Sequence, residues 1–273
     1  MKIKTDLGEE TGMYKHHEES LKILVDMFRG RDEVIALVFG GSVAKGVERV
    51  DSDLDAMVIV TPEYFEECMK ENRTAECLSG CTYEGGYFDI KYMTKEYLVQ
   101  AAEKGSEPTR NSFVKSRVLF SRDPEIEGIV ARIPVFQERE REEKLLSFYS
   151  DLQLNYNYFW KCCKPDGYMK IRTASEIVYA LYRLVLQENR VLFPSNRRLE
   201  DTVAGVENKP EGFVENCREF CQTMDSALLD RIVESYHAWT SYDYPKDNNI
   251  CCSQYCMDFE KWWLYPRPLV GEW

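Results

Sequence analysis

Val34-Ile-Ala-Leu-Val-Phe-Gly-Gly-Ser42 and, ten residues on, Ser52-Asp-Leu-Asp-Ala-Met-Val-Ile-Val60 decide how this chain is read. The first apolar run stops at two glycines, the pattern of a buried strand running into a tight loop. Ala56-Met-Val-Ile-Val60 is a second such run, so the two aspartates stand at the start of a strand. A side-chain period of two puts Asp53 and Asp55 on one face and Leu54 on the other. Adjacent carboxylates repel, and folding gains nothing from them unless a cation lies between. A hard ion such as Mg²⁺ is commonly held by one or two carboxylates together with substrate phosphates. Gly41 and Ser42 offer backbone N–H groups in a loop of little bulk, and a helix start near Val43 would turn its positive end toward a phosphate. A phosphate cradle beside a metal-holding pair implies metal-assisted chemistry on a nucleoside triphosphate. A solvated acidic turn explains Asp-Ser-Asp-Leu-Asp by itself. It does not explain strand, Gly-Gly-Ser, Lys45, Arg49 and a second strand in succession.

These residues resemble the signature of the DNA polymerase β-like nucleotidyltransferase superfamily, in which Gly-Ser leads through a small basic helix to Ser-Asp-hydrophobic-Asp. Here Ser42, Ala44, Lys45, Gly46 and Ser52-Asp-Leu-Asp55 fill those places. The likeness is tight over residues 34–60 and looser to about residue 128. Within the superfamily the chain is most similar to the small bacterial antibiotic nucleotidyltransferases that modify aminoglycosides or lincosamides. The resemblance implies a third acidic residue on a neighbouring strand. Tyr87-Phe-Asp-Ile-Lys-Tyr-Met93 offers one: in an extended chain Tyr87, Asp89, Lys91 and Met93 share a face, and strands disfavour aspartate without a reason. An Asp89–Lys91 pair on a solvated face is the alternative. On the family pattern Asp53 and Asp55 bind Mg²⁺, while Asp89 binds a second ion, acts as general base, or both. Gly41, Ser42 and Lys45 would hold the nucleotide, with ATP the first candidate donor. Lys91 would contact phosphate or neutralise Asp89.

The fold expected is α+β: a polymerase-β-like domain over residues 1–134, its mixed sheet flanked by helices, then a helical bundle over 135–273. Helices are expected at Tyr14–Phe28, after the Thr61-Pro62 start, from Thr94 to Ala102 and at Glu125–Ile133, with a further strand at Ser116–Phe120. Beyond Pro134 the period is helical throughout: Gln137–Cys163, Tyr168–Glu188, Glu211–Cys221 and Asp225–Trp239. The aromatic, proline-rich tail, Trp262–Trp273, reads as an extended strap. Residues 1–12 are polar, without the apolar core of a signal peptide, and no apolar run reaches the ~18 residues of a membrane span.

The resemblance implies that the helical half closes over the acceptor. Glu176, Tyr179 and Arg183, with Arg172, form one stripe of a helix and are the candidate substrate face; an exposed i,i+4 ladder of charges fits them equally. Glu176 is also a reserve candidate for the acidic base. Arg197 and Arg198 lie in a segment resembling a Pro-x-x-Lys/Arg motif of such domains, where they would approach the triphosphate, cap a helix or meet surface acids. Arg231 and His237 resemble the Arg-x₄₋₆-His motif of HEPN ribonucleases, but a helix surface explains them better.

A net charge of −12 argues against a nucleic-acid duplex or an anionic membrane as partner and suits a small cationic acceptor. Ten cysteines without Cys-x-x-Cys, and only three histidines, point to reduced thiols in a cytoplasmic protein, most of them filling the core, and to no zinc site. The expectation is a Mg²⁺-dependent nucleotidyltransferase acting on a hydroxyl of a small acceptor, an aminoglycoside-like antibiotic being the first candidate and antibiotic resistance the role that implies. A protein-modifying, antitoxin-type enzyme and a non-catalytic nucleotide-binding module are the alternatives.

Overall fold

Five strands carry the N-terminal unit: β1 (Val34–Phe39), β2 (Leu54–Val60), β3 (Ala75–Leu78), β4 (Phe88–Met93) and β5 (Arg117–Ser121). In the computed structural model, which describes residues 13–264, they form one sheet in the order β3-β4-β2-β1-β5. β2 and β4 run parallel; every other neighbouring pair is antiparallel. The chain divides into two compact units, one ending at Val135 and the other starting at Phe136.

Alternation along the strands fills two cores, one on each face of the sheet. On one face Leu37, Phe39, Leu54, Val58, Phe88 and Ile90 pack with Leu21, Leu24 and Phe28 of α1 (Lys15–Arg29). On the other, Ala36, Val38, Met57 and Ile59 pack with Leu98 and Ala101 of α4 (Lys95–Lys104) and with Ile126 and Ile129 of α6 (Ile126–Arg132). Between these helices lie α2 (Gly41–Lys45), α3 (Pro62–Lys70) and α5 (Glu107–Ser112). The sequence's start signals act as expected. Thr61 Oγ1 accepts the Tyr64 N–H at 3.3 Å, with Pro62 in the first turn of α3, and Thr94 caps α4 through the Tyr97 N–H at 3.1 Å. α2 begins at Gly41, two residues before the start expected near Val43, and it is only five residues long.

Two elements of this unit are not visible as patterns in the sequence. β3 is a four-residue edge strand whose side chains alternate between exposed and half-buried, too short and polar to stand out. α5 follows the Ser106 cap, and it carries a buried guanidinium. Arg110 donates to the carbonyls of Gly105 (2.9 Å), Ile133 (2.8 Å), Val135 (3.3 Å) and Ala102 (3.0 Å), tying together the ends of α4 and α6. Because Arg110 is 1% exposed and its bond to the Ile133 carbonyl is buried, Arg110→Met leaves a buried acceptor unpaired and is expected to lower the unfolding free energy by about 3 kcal/mol in urea titrations.

The second unit is helical: α7 (Glu138–Gln153), α8 (Gly167–Glu188), α9 (Asn196–Gly205), α10 (Phe213–Thr223), α11 (Ser226–Trp239) and α12 (Asn248–Tyr255). Leu152, Ile177, Leu181, Val185, Phe220 and Leu229 lie in its core. The long stretch expected at Gln137–Cys163 is helical without a break from Glu138 to Cys162, yet the nine residues Leu154–Cys162 wind as a π-helix. α12 runs on into a second π-segment, Cys256–Glu260. Of the tail, Trp262–Leu264 make one exposed 3₁₀ turn rather than extended chain, and the rest lies outside the described residues, as do residues 1–12. No described helix is long and apolar enough to cross a membrane.

All ten cysteines are free, but only Cys68, Cys217 and Cys251 are buried, which corrects the expectation that most fill the core. Cys162, Cys221 and Cys252 are exposed on helices, Cys163 is exposed just past the end of one, and Cys77 lies on the edge strand.

Candidate active site

Leu54 pairs with Phe88 and Asp55 with Asp89 in the parallel β2–β4 register, so two carboxylates stand side by side on one face of adjacent strands. Asp53 precedes β2 by one residue. One of its oxygens, one of Asp55 and one of Asp89 all lie within 4.8 Å of one another. Among the described residues no other three His, Cys, Asp or Glu side chains meet this closely. Further along β2 the same face buries Met57 and Ile59 beneath the helices; at its start the cover is Gly41 instead.

Gly41 explains the loop sequence. Its φ is +73°, and a Cβ there would come 1.8 Å from Asp55 Oδ2. No other residue type fits. The Gly40 N–H donates to the Asp55 carbonyl at 3.0 Å, which fixes the end of β1 against the start of β2. On the far side Ser52 is buried: its Oγ accepts the Arg49 N–H at 2.9 Å, and its carbonyl accepts the Tyr83 hydroxyl at 2.5 Å. Asp53 therefore leaves an anchored turn.

Burial, then the charges of Asp53 and Asp89, push the Asp55 carboxyl up to about 6, against the pull of Lys91 and Lys45. The Tyr87 phenol, hydrogen-bonded to Asp53, is raised above its ordinary range. Lys91 Nζ sits 3.4 Å from Asp89 Oδ2, so the Asp89–Lys91 pair and the carboxylate cluster exist together. Lys45 Nζ donates to Asn111 Oδ1 of α5 at 2.7 Å. Oxygen-only donors, one of them raised toward neutrality for want of a counter-charge, suit a hard divalent cation.

A family of nucleotidyltransferase domains matches residues 18–153. The chain carries a nucleotidyltransferase domain. No curated protein matches the sequence. Among solved structures the chain is similar to a nucleotidyltransferase-like protein from Exiguobacterium sibiricum, at 10% identity and a TM-score of 0.43, over 92% of this chain and 81% of that one. It is also similar to a spectinomycin adenyltransferase from Enterococcus faecialis solved with ATP and spectinomycin, at 12% identity and a TM-score of 0.34, over 89% of this chain and 96% of that one.

In this nucleotidyltransferase the helical residues named from sequence do not act together. Glu176 is half-buried on α8, and it lines an open groove of about 500 Å³ with Tyr179, Tyr182, Asn196 and Glu200. Arg183 corrects the expectation of a substrate contact: it is fully buried, its guanidinium 4.0 Å from the Phe193 ring centre and 4.4 Å from that of Phe148, and it donates to the Tyr179 hydroxyl at 2.5 Å. Nor is the stripe a surface ladder. Arg172 and Glu176 pair near the surface, at 3.8 Å, whereas the C-terminal part of that stripe is turned into the core. Arg197 and Arg198 are exposed on α9, where Arg198 meets Asp201 at 3.5 Å. Arg231 and His237 both lie exposed on α11, as a helix surface requires. Sequence reasoning missed Tyr83, Tyr87 and Asn111. Tyr87 stood in the strand pattern of Asp89; Tyr83 and Asn111 lay in segments without one.

Proposed function

We propose that this chain moves a nucleoside monophosphate from a nucleoside triphosphate, with ATP as donor, to a hydroxyl of a small cationic acceptor, using Mg²⁺ held by Asp53, Asp55 and Asp89. The observation that carries this reading is the β2–β4 register, which sets Asp89 beside Asp55 under Gly41. Mg²⁺, when bound, would offset the charge of the phosphate oxygens and of the leaving pyrophosphate. The backbone N–H groups of Gly41 and Ser42 face the triphosphate in this reading, and Lys45 adds positive charge beside Asp55. The acceptor oxygen forms a bond to the α-phosphorus, the bond to the bridging oxygen of the β-phosphate breaks, and Asp89 takes the hydroxyl proton. Positioning and fixed charge supply most of the acceleration in such transfers. Glu176 and Tyr179, at the groove of the helical unit, are the proposed acceptor contacts. A net charge of −12 favours a cationic acceptor, and ten free thiols fit a reducing, cytoplasmic setting.

The test is pyrophosphate release with each labelled nucleoside triphosphate, Mg²⁺ and a panel of aminoglycosides and lincosamides. Release that requires both a drug and Mg²⁺, and that chelation stops, is the expected result. Label carried by a protein instead would replace the small acceptor by a polypeptide. Activity unchanged in Asp53→Asn would sink the reading.

Proton competition gives a second expected result. Asp55 must lose its proton to serve as a ligand, and its carboxyl titrates at about 6. Mn²⁺ affinity, titrated from pH 5 to 8, should therefore rise by up to about tenfold per pH unit below about 6 and level off above about 7.

A further inference from the structure

The helical unit holds a second pocket, of about 210 Å³, on the other side of Glu176 from Tyr179 and the open groove. Its floor is Asp151, near the end of α7, whose side chain is 2% exposed. The Asn155 amide donates to Asp151 Oδ1 at 2.8 Å, and among the described residues no donor meets Oδ2. Glu176 of α8 adds a second half-buried carboxylate, and Arg172, 3.8 Å from Glu176, is the one cationic side chain in the lining. Three rings complete the walls. Phe159 and Tyr255 lie 6.4 Å apart, Tyr255 and Phe259 4.5 Å apart. Both π-helical segments contribute, Asn155 and Phe159 from the first and Phe259 from the second. Such segments place side chains that a regular helix would turn elsewhere, and they recur at functional sites.

A buried carboxylate is costly without a counter-charge. Burial and the charge of Glu176 hold the Asp151 carboxyl well above its ordinary range. Aromatic faces attract cations, and they favour an organic ammonium over a hydrated metal ion. The volume admits one ring-sized group rather than a whole oligosaccharide.

We propose that this pocket binds a small organic ammonium ion, its nitrogen on Asp151 and Glu176 and its apolar body among Phe159, Tyr255 and Phe259. The pocket shares Glu176 with the groove proposed for the acceptor, and its binding is tested without nucleotide or divalent ion, so that it stands or falls separately from nucleotidyl transfer. Calorimetric titration of the full chain with benzylamine, benzyl alcohol and phenylacetate reads it directly. Benzylamine should bind saturably, with the alcohol and the acid at least about 20-fold weaker. Asp151→Asn should weaken benzylamine by a similar factor and Phe259→Ala about 5-fold. Phe259 is 36% exposed, so its truncation leaves the fold intact and decides the matter if the Asp151 variant does not fold. Equal binding of alcohol and amine, no saturable amine binding, or affinity unchanged in Phe259→Ala would overturn the proposal.

Discussion

Asp55→Asn is expected to stabilise the metal-free protein while removing nucleotidyl transfer. The stability arm follows from proton linkage. Folding raises the Asp55 carboxyl from 3.8 to about 6, so the folded state holds this proton more tightly than the unfolded chain. The stability contributed by the protonated group is complete below pH ~4 and is lost as pH rises through about 6. At neutral pH the ionised group therefore costs the fold about 3 kcal/mol at most. An uncharged amide of the same shape recovers part of this, on the order of 1–2 kcal/mol, visible as a higher melting temperature. The activity arm runs the other way, because the amide brings no negative charge to a cation and leaves only Asp53 and Asp89 to hold it. A fall in turnover of about 10³-fold or more is expected. Gains in stability and losses in activity at one residue are the signature of a group kept for chemistry. A variant both less stable and fully active would contradict the role given to Asp55.

Gly41→Ala carries the second large effect, and Gly46→Ala is its control. Both glycines have positive φ, +73° and +75°, so alanine strains each backbone alike, by about 1 kcal/mol. Only at Gly41 does the added methyl meet anything: Asp55 Oδ2 at 1.8 Å, against nothing within 4 Å at Gly46. The carboxylate must rotate away or the loop must lift. Displacements near 1 Å at a reacting centre lower rates by about 100-fold, and that is the expected loss for Gly41→Ala, with less than about fivefold for Gly46→Ala. Steady-state rates of the two variants beside matched melting curves separate site geometry from backbone strain.

The palm-like half of the fold was legible because its strands are short apolar runs ended by glycine, proline or a capping threonine. β1 has the bounds of its run, and Asp53 and Asp55 stand where alternation puts them. Register was not legible. Nothing local in Tyr87–Met93 tells that β4 lies parallel to β2 with Asp89 opposite Asp55; that is decided by long-range packing, with the polar edge strand β3 closing the sheet beyond it. In the helical half a fixed 3.6-residue period misled. Residues 172, 176, 179 and 183 read as one polar stripe, yet α8 carries Arg183 into the core, where its guanidinium packs against Phe148 and Phe193. The π-helical turns break the period outright, which is why Asn155, Phe159 and Phe259 left no sign of a shared pocket.

The central claim is that Asp53, Asp55 and Asp89 form one metal-dependent nucleotide site. Mn²⁺ binding followed by electron paramagnetic resonance, with non-hydrolysable analogues of the four nucleoside triphosphates, tests it most directly. The account predicts that an analogue binds the wild type only when Mn²⁺ is present, and that Asp55→Asn weakens Mn²⁺ binding by about 100-fold. Analogue binding that needs no metal, or Mn²⁺ affinity unchanged in Asp55→Asn, would contradict it.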